Sequence, residues 1–265
     1  MRMSLRGKSN FESFLAHISP TVRFQTKSRG GEEEEETKPY VGLRNIWSAY
    51  EEWSCYALGV PVKLDHLMSG AVTQYYVPTL SAIQIFTNEP IVDGGSDSSP
   101  RSVGTDSHLY FEFNETMGFD ERAPLIVKVD ELAEEHHGLK TLTSTDLSQE
   151  SWFSVAWSPI YQIPKVRNVK ALSALSVSFL TYHSLTPTCP ETFPRKKNVV
   201  LSPFGVVTSK LSGNVWIKPG SSDEQNINTN EESAASWLGN LMFEHSDFDM
   251  FMAEKASDVP LPSGK

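Results

Sequence analysis

Residues 151 to 164 read Ser151-Trp-Phe-Ser-Val-Ala-Trp-Ser-Pro-Ile-Tyr-Gln-Ile-Pro164. Side chains two apart share a face of a strand, so Phe153, Val155, Trp157, Tyr161 and Ile163 fall on one side and Ser154, Ala156 and Ser158 on the other. The large face is expected to fill a core. The small face admits a close neighbour, a helix sooner than a ligand. Pro159 cannot donate to a ladder, so the strand is expected to lie at an edge there or to bulge.

Further strands are expected over Ala71–Val77, Leu80–Thr87, His108–Asn114 and Ser176–Leu185. Two more, Val206–Lys210 and Asn214–Lys218, would form a hairpin about Ser212-Gly213. Helical signals interrupt these runs. Ser9 and Glu12 make a capping box, followed by Phe11, Phe14, Leu15 and Ile18 before Pro20. Leu43, Ile46, Trp47 and Tyr50 share a helix face. A third helix runs from Pro124 to Gly138. A last one opens at the box Thr229–Glu232 and buries Ala234, Trp237, Leu238, Leu241 and Met242. Strand runs separated by isolated helices predict an α+β fold: one domain, a largely antiparallel mixed sheet of about seven to eight strands, and about four flanking helices. Residues 1–27 supply the N-terminal helix of the domain, 28–38 an acidic mobile linker, 39–250 the α+β domain with a disordered insert at 91–106, and 251–265 a disordered tail.

The chain has 265 residues and a formal charge of -10, with 39% apolar and 21% charged residues. That is enough chain to bury a core without disulfide staples. Cys55 and Cys189 share no metal or redox spacing, so a reducing compartment, cytoplasm or nucleus, is expected. Arg2, Arg6, Lys8, Arg23, Lys27 and Arg29 face one acid, Glu12, in residues 1–30. Plastid and mitochondrial leaders share that pattern, but the capping box favours a domain helix. No apolar run reaches the roughly 18 residues of a membrane span. The net charge excludes general nucleic-acid binding; Arg195-Lys-Lys is too short to overcome it, so weak binding to duplex DNA at most is expected. Glu32 to Glu36 are an unbroken acidic run. Eight acids and no lysine or arginine stand from Pro219 to Glu254 inclusive, a solvated face or a docking surface for a basic partner.

No catalytic motif is complete in the sequence. Gly7-Lys8-Ser9 ends like a phosphate loop but has Arg2 where the first glycine belongs, and no GxGxxG, GxSxG or HExxH occurs. Glu134 and His137 form a single Glu-x-x-His, short of the paired set a di-metal bundle needs, so no metal or cofactor is expected. His183 sits in a run with apolar residues on both faces, the mark of a central strand. It reads either as a hydrogen-bonded core residue or as a proton-transfer or ligand-anchoring group, with Glu112, Tyr110 or Tyr161 as pocket companions. Ser99-Pro100 is a possible target of proline-directed phosphorylation.

The chain carries Glu52-Trp-Ser-Cys-Tyr-Ala-Leu-Gly-Val-Pro, Gln74-Tyr-Tyr-Val-Pro-Thr-Leu-Ser-Ala-Ile-Gln, Asp146-Leu-Ser-Gln-Glu-Ser-Trp, Ser154 to Pro164, Phe179-Leu-Thr-Tyr-His-Ser-Leu, and Asn-x-x-x-Phe-Leu-x-His from Asn10 to His17. Together these segments resemble a plant family known as domain of unknown function 789. The resemblance covers nearly the whole chain and implies a plant origin and a single domain; it implies no activity. The chain departs from the pattern at Ala57, where glycine is usual before Gly59, at Ser158, where an aromatic is usual, and in the insert at 91–106. The resulting expectation is a soluble, intracellular, non-catalytic protein-interaction or regulatory module. It would engage an unidentified protein partner through its acidic C-terminal region or its small-faced strand. The rival is a small-molecule binder or enzyme with a pocket near His183.

Overall fold

A computed structural model describes residues 8–26, 38–64, 70–91, 107–164, 176–209, 215–218 and 220–257. Seven helices stand among them: α1 (Asn10–His17), α2 (Leu43–Ser48), α3 (Glu51–Tyr56), α4 (Leu125–Glu135), α5 (Gly138–Thr141), α6 (Asp223–Leu241) and α7 (Ser246–Ser257). Ten strands accompany them: β1 (Thr21–Arg23), β2 (Gln25–Thr26), β3 (Pro39–Tyr40), β4 (Leu58–Leu64), β5 (Gly70–Thr87), β6 (His108–Asn114), β7 (Trp152–Pro164), β8 (Phe179–Ser184), β9 (Asn198–Val200) and β10 (Gly205–Thr208). The fold is α+β. A six-stranded sheet has the order β10-β8-β7-β5-β4, and β6 also pairs with β5; β1–β9 and β2–β3 form separate ribbons. Every pairing is antiparallel.

The long β5 organises the sheet. One edge pairs with β7 over Val72–Gln84, while the other carries β4 and then β6 end to end. Helices cover both faces. On the first, Phe153, Val155 and Trp157 of β7 join Phe14 of α1, Trp47 of α2 and Val129 of α4 in the main core. On the second, Ala156 and its neighbours Ala82, Leu180 and Val207 meet Ala234 and Leu238 of α6 and Phe251 of α7. The small face of β7 therefore receives a helix. The approach is closest at Gly205, where a Cβ would lie 2.9 Å from that of Ala234 and 3.2 Å from its backbone. A larger residue there would push α6 off the sheet.

Three bulges shape this sheet, and the one beside Pro159 redirects the end of β7. Pro159 pairs with Tyr76 and Tyr161 with Tyr75, leaving Ile160 as the extra residue. A bulge breaks the two-residue period. Tyr161 and Ile163 consequently leave the face of Trp157 for the other one, where both are about half exposed. That corrects their expected place in the core. Pairing with β8 stops at Trp157, so among the described residues this half of β7 is also an edge.

Other expectations change for local reasons. Residues 215–218 form no strand, because the carbonyls of Val215 and Trp216 cap α1 by accepting from Asn10 Nδ2 and the Phe11 amide; β10 pairs with β8 instead. The proposed turn at 212–213 lies outside the described residues. Helix α6 begins at Asp223, six residues before Thr229, because the Asp223 carboxylate accepts from the Lys218 amide and from Ser9 and Ser221 Oγ. Met242 is the exposed left-handed residue that ends α6, and Trp237 is only half-buried. Helix α7 continues past 250 to Ser257 and buries Phe251, and the rest of the tail expected from 251 lies outside the described residues. The linker at 28–38 and the insert at 91–106 fall, save their end residues Lys38 and Ile91, outside the described residues.

Ala57 closes α3 at φ 61°, ψ 159°, a conformation nearly reserved for glycine. This gives a physical reason for the glycine that the resemblance leads one to expect there. Ala57→Gly is expected to stabilise the fold by about 1 kcal/mol, the strain relieved being larger than the added chain entropy. A lower urea midpoint for the variant would contradict it.

Candidate functional site

His183 lies in β8 and is fully buried. Its ring stacks on Phe153, 5.1 Å between centroids, and meets Tyr50 edge-on at 6.3 Å. Nε2 is 3.0 Å from Thr181 Oγ1, which also accepts from Trp157 Nε1 at 3.0 Å. Nδ1 makes no hydrogen bond of normal geometry, though the Leu201 backbone lies close enough to favour its protonation slightly. Burial dominates and lowers the imidazole pKa to about 3, so the ring is neutral at ordinary pH.

The residues grouped with His183 in sequence are not brought to it. Glu112 is exposed on the opposite face of the sheet, at the end of a chain in which Trp152 Nε1 donates to Gln84 Oε1 and Gln84 Nε2 donates to Glu112. Tyr110 is the extra residue of the β6 bulge, and its hydroxyl accepts from the Gly138 amide at 3.0 Å. A Cβ at Gly138 would lie 2.4 Å from that oxygen, so the contact requires glycine. Tyr161 stacks on Tyr75 at the far end of β7. His137, between α4 and α5, turns its Nδ1 to Ala133 O in the last turn of α4. His183→Ala is expected to cost about 1–4 kcal/mol through a cavity and the loss of a bond to Thr181, and His183→Gln less. Unchanged thermal melting of the alanine variant would contradict the packing described.

A second polar group, with no sequence signal, lies under α7. The β5 bulge at Ser81 places Ser81 and Ala82 on the same face. Ser81 Oγ meets His245 Nε2 at 2.8 Å and also Asp247 Oδ2, while Tyr182 Oη meets His245 Nδ1 at 2.8 Å. Arg122 grips Asp247 with two nitrogens, at 2.6 and 2.7 Å. One proton arrangement satisfies every contact. Arg122 and Ser81 donate to the carboxylate, His245 Nε2–H donates to Ser81 Oγ, and Tyr182 O–H donates to Nδ1.

That order differs from a nucleophilic triad. There the aspartate accepts from Nδ1 and the serine donates to Nε2. Here the serine hydrogen is committed to the carboxylate, and Ser81, His245 and Asp247 are all buried. Burial lowers the His245 pKa to about 4, with Asp247 opposing and Arg122 adding to the shift. The network fastens the start of α7 to the sheet.

The exposed chemistry lies elsewhere. Arg23 ends β1 opposite Asn198 of β9, and the chain entering β9 carries Arg195, Lys196 and Lys197. With Pro194 and Asn198 these cations line an open cleft of about 470 Å³. Among the described residues, no carboxylate pairs with any of the four. The sequence showed Arg195-Lys-Lys as a short run; only the β1–β9 pairing adds Arg23. The acidic C-terminal stretch is, conversely, partly spent: Asp223 and Asp247 are internal, and Glu231 pairs with Lys255.

A family model matches residues 9–103 and 92–251. The chain belongs to the family described as protein of unknown function (DUF789). The two matched stretches of this DUF789 chain meet at 92–103, within the segment set apart in sequence as an insert. No curated protein and no solved structure matches the chain. Among the described residues no helix is long and apolar enough to cross a membrane, and no cluster of three or more metal-ligating side chains occurs.

Proposed function

We propose that this DUF789 protein is a non-catalytic protein-interaction or regulatory module that meets its partner through the cation-lined cleft. The observation that carries the reading is four cations, none paired with a carboxylate among the described residues, converging on one cleft of a chain whose net charge is -10. Across an interface such a local concentration of charge gives specificity and fast encounter. The enclosure of His183 supports this reading over a pocket there. The helix on the small face of β7 takes that strand out of the expected docking surfaces. The unpaired Cys55 and Cys189 fit the cytoplasm or nucleus, and a plant source and phosphorylation at Ser99 belong to the same proposal.

Cross-linked affinity capture with the full chain tests it, against an Arg195→Glu/Lys196→Glu/Lys197→Glu bait. Stoichiometric partners lost from the variant are expected. Identical recovery by both baits would remove the cleft from the interface.

A further inference from the structure

The cleft's chemistry narrows what it binds, granted the interaction-module reading. We infer that it receives a phosphorylated, acidic peptide segment of another protein. Two of its four cations are arginines, whose planar forks match phosphate oxygens with paired hydrogen bonds, and two are lysines that act as mobile point charges. Arginine clusters of this kind are a recurrent way to read phosphorylated motifs. A phosphoserine brings a charge of about -1.5 to -2 and three strong acceptor oxygens on one short side chain. That is a compact ligand suited to a concavity of about 470 Å³.

The surroundings favour a short anion over a long one. Duplex binders commonly neutralise on the order of 6–10 phosphates, and this cleft offers four cations. A chain of net charge -10 repels an extended polyanion along the rest of its surface, while a single phosphate experiences mainly the local field. Beside the cleft, the outer face of the β1–β9 ribbon presents Thr21 and Val200 opposite one another. Val200 is 55% exposed and supplies an apolar contact for a residue next to the phosphate.

The test uses the full chain and a fluorescein-labelled peptide of one phosphoserine flanked on each side by four glutamates, read by anisotropy. The phosphopeptide is expected to bind at least tenfold more tightly than its serine counterpart. Arg195→Glu/Lys197→Glu is expected to weaken it at least tenfold, with melting used to confirm the fold. Lys128→Glu/Lys140→Glu, on α4 and α5, makes the same charge change away from the cleft and is expected to alter affinity less than threefold. Equal binding of both peptides, or indifference to the cleft reversal, would overturn the inference. So would tighter binding of phosphatidylserine vesicles or of a 20-nucleotide single-stranded RNA. Phosphatase treatment of the extract separates the two readings: cleft-dependent capture that survives it refutes the phosphate and keeps the module, whereas cleft-independent capture refutes both.

Discussion

Asp247→Ala is expected to lower the stability of the fold by about 3–5 kcal/mol, the scale of a buried ion pair broken from one side. The side chains of Arg122 and Asp247 are each only 3% exposed, so the orphaned guanidinium would stay in the interior without its counter-charge. Met117 O, accepting from Nε and one terminal nitrogen, and the ring of Phe119, 4.2 Å from the guanidinium carbon, cannot neutralise it. Ser81 would lose its acceptor in the same step, and the chain of bonds through His245 to Tyr182 would lose its anchor. Removing both charges tells the pair from its parts. Arg122→Met/Asp247→Ala is expected to recover stability relative to Asp247→Ala alone, because no unpaired charge remains. The exposed pair Lys140–Asp130 gives the contrast, its side chains being 36% and 56% exposed. Asp130→Ala is expected to cost at most about 1 kcal/mol. Urea titrations of these three variants and the wild type measure all of this. An Asp247→Ala loss no larger than that of Asp130→Ala would show that the network does not hold α7.

The difference between these two pairs was not legible in the sequence. Asp247 is one of eight acids from Pro219 to Glu254 that read as a solvated face or a docking surface for a basic partner, and only the tertiary structure sends Asp223 and Asp247 inward. Local signals did well where the deciding contacts are local. The Ser9–Glu12 box caps α1 with both reciprocal bonds, and the alternation from Phe153 to Trp157 gave the core face of a central strand. They failed where partners lie far along the chain. Thr229 and Glu232 satisfy a capping pattern, yet α6 starts earlier because Asp223 gathers donors from residues 9, 218 and 221. The alternation in β7 was carried past Pro159 to Tyr161 and Ile163: the proline marked an edge or a bulge, but the change of face that follows the bulge is fixed by the pairing with β5. His183 was recognisable as a buried histidine, but its companions were chosen by residue type. A sheet places Glu112 on the wrong face for it. Ser81, His245 and Asp247 carried no signal at all, being 164 and 166 positions apart along the chain from serine to histidine and serine to aspartate.

Acid should expose both buried histidines. Burial lowers the pKa of His183 to about 3 and that of His245 to about 4, against 6.5 for the free side chain. Below pH 6.5 the unfolded chain takes up a proton at each site that the native fold refuses. Stability is therefore fully present above about pH 6.5 and declines as the pH falls toward the native values. Each site contributes a slope approaching about 1.4 kcal/mol per pH unit. Between pH 7 and pH 5, above the range where ordinary carboxylates titrate, the two together remove about 4 kcal/mol. That is a large share of the roughly 5–15 kcal/mol that holds a domain folded. Arg122 and Asp247 both face His245, from the segment before α4 and from α7, and their opposed effects leave burial in control there. His183 has no charged neighbour of that kind, so it is the cleaner probe. His183→Gln starts from a lower stability at pH 7 but cannot take up the proton, and its curve is expected to fall about 2 kcal/mol less than that of the wild type over the same interval. Urea midpoints at pH 7, 6 and 5 for both proteins decide the matter. Parallel curves would mean that His183 is protonated in the native fold near its ordinary pKa, which requires water or a carboxylate to reach a ring that Phe153 and Tyr50 enclose.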